Sequence, residues 1–124
     1  MADLIHKDES YQIVGACMEV HKILGRGFLE IVYKDALEYE FKLRNIPFER
    51  EKSFKIRYKD ITLPRTYIAD FVVFDKIILE AKCQSGILDE HYKQVINYLA
   101  VSKCKLGIII NFSNDSLEYK RVVL

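Results

Sequence analysis

The stretch 67–82, YIADFVVFDKIILEAK, constrains this chain more than any other. It holds two apolar runs rich in β-branched residues, the composition of core strands. Yet Asp70 interrupts the first run, and Glu80 and Lys82 sit near the end of the second. Residues two apart on a strand share a face, so Glu80 and Lys82 project side by side while Ala81 points away. Charged groups are rarely buried unless they are paired or bound to metal. An Asp, a Glu and a Lys converging on one edge of a buried sheet therefore suit a metal and phosphate site. The other reading of the same spacing is a strand-start cap at Asp70 and a solvated Glu80–Lys82 salt bridge.

The rest of the chain supplies the cover for such a sheet. From 9 to 24, Tyr11, Val14, Cys17 and Met18, with Ile13, Val20 and Leu24, recur at helical spacing behind an N-cap at Asp8. Gly25-Arg26-Gly27 ends that helix. A second helix is predicted over 28–44. Leu29, Val32, Tyr33, Ala36, Leu37 and Phe41 form its inner stripe, Lys34, Asp35, Glu38 and Lys42 face out, and Asn45 and Pro47 close it. The period then changes to two. Strands are expected near 54–59, 61–63 (ended by Pro64), 65–74 and 76–82. A third helix over 88–101 follows, then the apolar strand 106–111, LGIIIN, and a last strand at 119–124. The order reads ααββββαββ, an α/β fold with a mixed β-sheet flanked by helices.

Bulk properties narrow the function. At 124 residues the chain makes one domain, 1–124. A net charge of +1 excludes a global basic field, so any nucleic-acid contact must be local. Cys17, Cys83 and Cys104 are odd in number and lack CxxC spacing, which argues against a disulfide framework or zinc site. MADLIHKDES has no signal-peptide core, and no apolar run is long enough to span a bilayer, so a cytoplasmic protein without membrane contact is expected.

Asp70, Glu80 and Lys82 suit phosphodiester hydrolysis. Two carboxylates can hold Mg²⁺, which prefers oxygen ligands, and the Ala81 carbonyl could add another. The lysine can position the attacking water or stabilise developing charge. This chemistry requires Asp70 and Glu80 on one face. A two-residue turn at Asp75-Lys76 would put them on opposite faces, so a three-residue loop, a bulge or a bend at Asp70 is predicted.

Glu30 lies on the apolar-leaning side of the second helix with Tyr33 and Leu37, where a metal or Lys82 could meet it; it also suits the helix dipole. Gln94 and Tyr98, four apart on the third helix, could reach a bound water or phosphate, or be a helix flank. Arg50, Lys52, Lys55, Arg57 and Lys59 could track a phosphate backbone, or simply be a charged outer strand face. Tyr67, Tyr92 and Tyr98 could stack on bases or fill the core. His21 and His91 read as surface or core-edge residues, and Cys83 as a small buried one.

Taken together, the string Gly27-x-x-Glu30-x-x-Tyr33, YIAD ending at Asp70, Glu80-x-Lys82, Gln94-x-x-x-Tyr98, GIIINF from Gly107 and KRVV from Lys120 resembles the GxxExxY protein family, a branch of the PD-(D/E)XK nuclease superfamily. The likeness runs from about Ile13 to the C-terminus and departs at Ala69, where the superfamily pattern has proline. It implies a restriction-endonuclease-like fold and a nuclease using Mg²⁺ or Mn²⁺ on DNA or RNA. Glu30, Asp70 and Glu80 are the implied metal ligands, Lys82 the catalytic lysine, and Gln94 and Tyr98 orienting residues. The alternative is a nucleic-acid-binding or assembly module on the same fold, acting as a homodimer or with a partner subunit.

Overall fold

The computed structural model describes residues 4–124. Two helices come first, α1 (Lys7–Leu24) and α2 (Glu30–Leu43). Strands β1 (Phe48–Tyr58), β2 (Ile61–Val73) and β3 (Ile77–Lys82) follow. Helix α3 (Asp89–Ser102) then crosses to β4 (Leu106–Asn111), and β5 (Glu118–Val123) ends the fold. The five strands lie in chain order, with β3 and β4 parallel and every other neighbouring pair antiparallel. A parallel pair needs a long crossover, and α3 provides it.

The central strands explain their own composition. All of β4 and all of β3 but Lys82 are buried, because helices cover both faces. On one face Ile13, Ala16, Cys17 and Val20 of α1 and Tyr33, Leu37 and Phe41 of α2 pack on Phe71, Leu79, Ile108 and Ile110. On the other, Val95, Tyr98 and Leu99 of α3 pack on Val72, Ile78 and Ile109. Tyr11 and Met18 lie outside the first layer, exposed at the surface of α1, and Asp8 falls inside the first turn, where His6 holds the cap position. The buried stripe of α1 is therefore narrower than its apolar content suggests.

The predicted strands 61–63 and 65–74 are one strand, so three strands rather than four precede α3. Pro64 does not end β2. The β1–β2 register shifts between Lys55 and Arg57, and this irregularity accommodates a residue with no N–H to donate. Beyond the rung Phe71↔Leu79, β2 loses β3 as a partner and continues with β1 as a two-stranded arm.

Candidate active site in the notch between two strands

The register requirement is met by the loop. β2 and β3 pair as Phe71↔Leu79, Val72↔Ile78 and Val73↔Ile77, leaving the three residues 74–76 as the connection. Phe74 and Asp75 both take positive φ, 56° and 58°, to close it. Asp70 and Glu80 stand at the next rung, where backbone pairing stops and side chains replace it. The Asp70 N–H donates to Glu80 Oε2 at 2.8 Å, and the Ala81 N–H donates to Asp70 Oδ2 at 2.9 Å. Each carboxylate thus holds the opposing strand's backbone, which fixes both acids at the mouth of a notch. The chain also bends there. Ala69 packs on the α3 side while Phe71 packs on the α1–α2 side, so strand alternation breaks at Asp70. Opposite it, Glu51 has φ 55° and is passed over in the β1–β2 register.

The site thus sits inside the sheet, between its second and third strands, and not at a sheet edge as its sequence suggests. An aspartate at a splay point can be reached from both faces. From the α3 side, Lys82 Nζ donates to Gln94 Oε1 at 3.1 Å, and Gln94 Nε2 donates to the Tyr98 hydroxyl oxygen at 3.2 Å. Burial, then the charges of Glu80 and Asp70, raise the pKa of the Tyr98 hydroxyl, so it stays neutral. Glu80 itself is only 2% exposed. Desolvation first, and the charge of Asp70 second, push its pKa up to about 8, against relief from the Asp70 backbone N–H and Lys82.

From the α2 side the partner is a residue that sequence periodicity places on the outer face. Lys34 is turned inward, its side chain 14% exposed. Its ammonium lies 2.8 Å from Asp70 Oδ1 and 3.2 Å from Glu30 Oε2. Burial opposes its charge, but hydrogen bonds and charge from Asp70, then from Glu30, outweigh that and raise its pKa. The cation meeting Glu30 is therefore Lys34 and not Lys82. A signal was present: Glu30 and Lys34 are an i, i+4 pair, and a helix covering an acid-bearing strand needs a counter-charge near that strand.

The loop before α2 explains the spacing of Gly27, Glu30 and Tyr33. Gly27 takes φ 110°, a conformation that disfavours any side chain. The Tyr33 hydroxyl donates to Gly25 O at 2.6 Å and accepts from the Phe28 N–H at 3.3 Å. Its ring stacks on Phe112 with centroids 4.6 Å apart. The tyrosine clamps the turn to the core, and the turn delivers Glu30 at the first position of α2.

Other candidates lie elsewhere. Arg50 leaves the basic row: it pairs with Asp35 at 2.8 Å and lies over the Phe71 ring, joining β1 to α2. Lys52 pairs with Glu49. His21 Nε2 bonds the Asn114 carbonyl, and His91 Nδ1 accepts the Leu88 N–H, so both serve local structure. Cys83 is half-buried with Sγ 3.3 Å from the Phe28 carbonyl, and burial raises its pKa. Tyr67 packs edge-on against Tyr98 at 5.8 Å, and Tyr92 packs on the α3-side core.

The sequence matches the PD-(D/E)XK nuclease superfamily over residues 7–122. The chain belongs to the PD-(D/E)XK nuclease superfamily. Its fold is also similar to the crystal structure of SSO0001, with a TM-score of 0.61 and 22% identity over 95% of this chain; the chain spans 57% of that one. No curated protein matches it.

PD-(D/E)XK nucleases usually use divalent metal ions. Among the described residues, no three His, Cys, Asp or Glu side chains form a cluster able to hold a metal. Glu30 meets Lys34, leaving Asp70 and Glu80 as the immediate carboxylate pair. The donor chemistry still fits a hard cation. Two carboxylates share one buried notch, and burial, then the charge of Asp70, holds Glu80 protonated to unusually high pH. A divalent ion would replace that proton.

Proposed function

We propose that this chain is a metal-dependent nuclease of the GxxExxY branch, hydrolysing phosphodiester bonds in DNA or RNA. The observation that carries this reading is the crossed Asp70–Glu80 pair with Lys82 one strand repeat further on, tethered to Gln94. Asp70, Glu80 and the Ala81 carbonyl would hold Mg²⁺ or Mn²⁺, with Glu30 joining once Lys34 releases it. When bound, the ion supplies a Lewis acid for the phosphate and acidifies a water. Lys82 orients that water or meets the charge developing on phosphate oxygens. Gln94 keeps the ammonium aimed, since its oxygen accepts from Lys82 while its nitrogen is held by Tyr98. In this reading 1–124 is a single cytoplasmic domain, acting alone, as a homodimer or with a partner subunit.

One observation favours a second reading. Lys34 already neutralises Asp70 and Glu30. A chain in which that pairing persists would be a nucleic-acid-binding or assembly module without turnover.

The test is incubation of single- and double-stranded DNA and RNA with Mg²⁺ or Mn²⁺, beside Glu80→Ala, Lys82→Ala and an EDTA control. Cleavage by the wild type that both substitutions and EDTA abolish supports the nuclease. Binding without cleavage supports the module. Cleavage that survives both substitutions removes this site from the reaction.

A further inference from the structure

We propose that the arm formed by β1 and β2 beyond the notch grips the sugar–phosphate backbone of the nucleic acid. This deepens the nuclease reading and rests on it for the class of partner. The arm starts at the rung Lys52↔Ala69, next to Asp70, and runs to Tyr58↔Ile61. At about 3.3 Å per residue it extends roughly 20 Å from the site.

Its two faces differ. Phe54 and Tyr67 pack toward α3, and Tyr67 meets Tyr98, so the inner face fastens the arm to the helix that carries Gln94. A two-stranded ribbon is marginal by itself, and this packing holds it in place. The outer face has no cover. Its cross-strand pairs are Ser53↔Ile68, Lys55↔Thr66 and Arg57↔Thr62, and all six residues are exposed. Bases beside hydroxyls make up the usual set of phosphate contacts, which position a nucleic acid without reading its sequence. Ile68, half exposed and nearest the notch, offers an apolar seat for a sugar or base.

Charge separates this surface from the rest of the basic row. Arg50 and Lys52 are neutralised by carboxylates, whereas Lys55, Arg57 and the nearby Lys59 and Arg65 have no ion-pair partner among the described residues. Lysines scattered along an edge strand would discourage edge pairing. That role needs neither a shared face nor a row of hydroxyls across from it.

The experiment measures binding of labelled single-stranded and duplex DNA and RNA by fluorescence anisotropy, in EDTA to prevent metal-dependent cleavage, over a range of salt concentrations. Three proteins are compared: wild type, Lys55→Ala/Arg57→Ala, and Lys22→Ala/Lys42→Ala, which removes the same charge from the helices. The expected result is a weaker complex for the arm variant alone, with a log affinity versus log salt slope shallower by about 1.4–1.8 for two lost phosphate contacts. Unchanged melting temperature confirms that the arm variant folds. An unaltered slope, or equal loss in both variants, overturns the arm while the cleavage assay still decides the nuclease. A change in concentration-dependent sedimentation without loss of binding makes the face a self-association surface and overturns the proposal. No binding by the wild type overturns the arm, while the cleavage assay, run with metal, still decides the nuclease.

Discussion

Glu80 and Lys34 show how one position can carry opposing physical demands. Glu80 is buried beside another carboxylate, so its proton is held up to about pH 8 rather than the ordinary 4.5. Between those values the folded chain binds more protons than the unfolded one, and stability falls as pH rises. This contribution is fully present below about 4.5 and lost through about 8. Urea denaturation across that range, in EDTA, is expected to show a decline for the wild type that is flattened in Glu80→Gln. Lys34 acts in the opposite sense. Its removal leaves Asp70, itself largely buried, without a counter-charge. Lys34→Met is expected to cost about 1–3 kcal/mol by urea denaturation at pH 7. Added Mn²⁺ should recover more of the stability lost in that variant than it adds to the wild type, because the competing cation is gone.

At the scale of elements, two features govern whether the site forms. The first is the three-residue loop at 74–76. Deleting Asp75 leaves Phe74 and Lys76 to close the Val73↔Ile77 rung as a two-residue turn, and neither residue suits the positive φ that such a turn needs. The expected outcome is a lower melting temperature with weakened metal-induced stabilisation, both read in one thermal scan. The second is the approach of α3 to β4. A Cβ at Gly107 would run into the Val95 side chain, so Gly107→Ala must lift α3 from the sheet. About 1–3 kcal/mol of destabilisation is expected from denaturation, with Gln94 and Tyr98 displaced from Lys82 and Glu80. The register demand was legible beforehand, because it follows from strand alternation and residue numbers alone. The continuity of β2 through Pro64 was not, since a local irregularity in pairing decided it.

Over the whole molecule, the notch gathers polar groups from both helical layers: the charged Glu30 and Lys34 from α2, the neutral Gln94 and Tyr98 from α3, and Asp70, Glu80 and Lys82 from the strands between. Such an assembly gains stability when a cation binds only the folded state. Mn²⁺ at 100 times its dissociation constant is expected to add about 2.7 kcal/mol, seen as a rise in melting temperature that Glu80→Ala abolishes. A wild-type melting temperature indifferent to metal would instead describe an internal salt-bridge network. Among the described residues no helix is long and apolar enough to cross a membrane.

The sequence by itself determined the element types, the buried β3–β4 centre and the charged residues that interrupt its apolar strands, because periodicity and the rarity of buried charge are local properties. It also determined that Asp70 and Glu80 need an even register. Only the tertiary structure decided where those residues meet: at a splay within the sheet, with Lys34 turned inward to meet Asp70 and Arg50 drawn away to α2. Those outcomes depend on which helix lies over which strand, and helical spacing cannot show an outward-reading lysine the aspartate that turns it in.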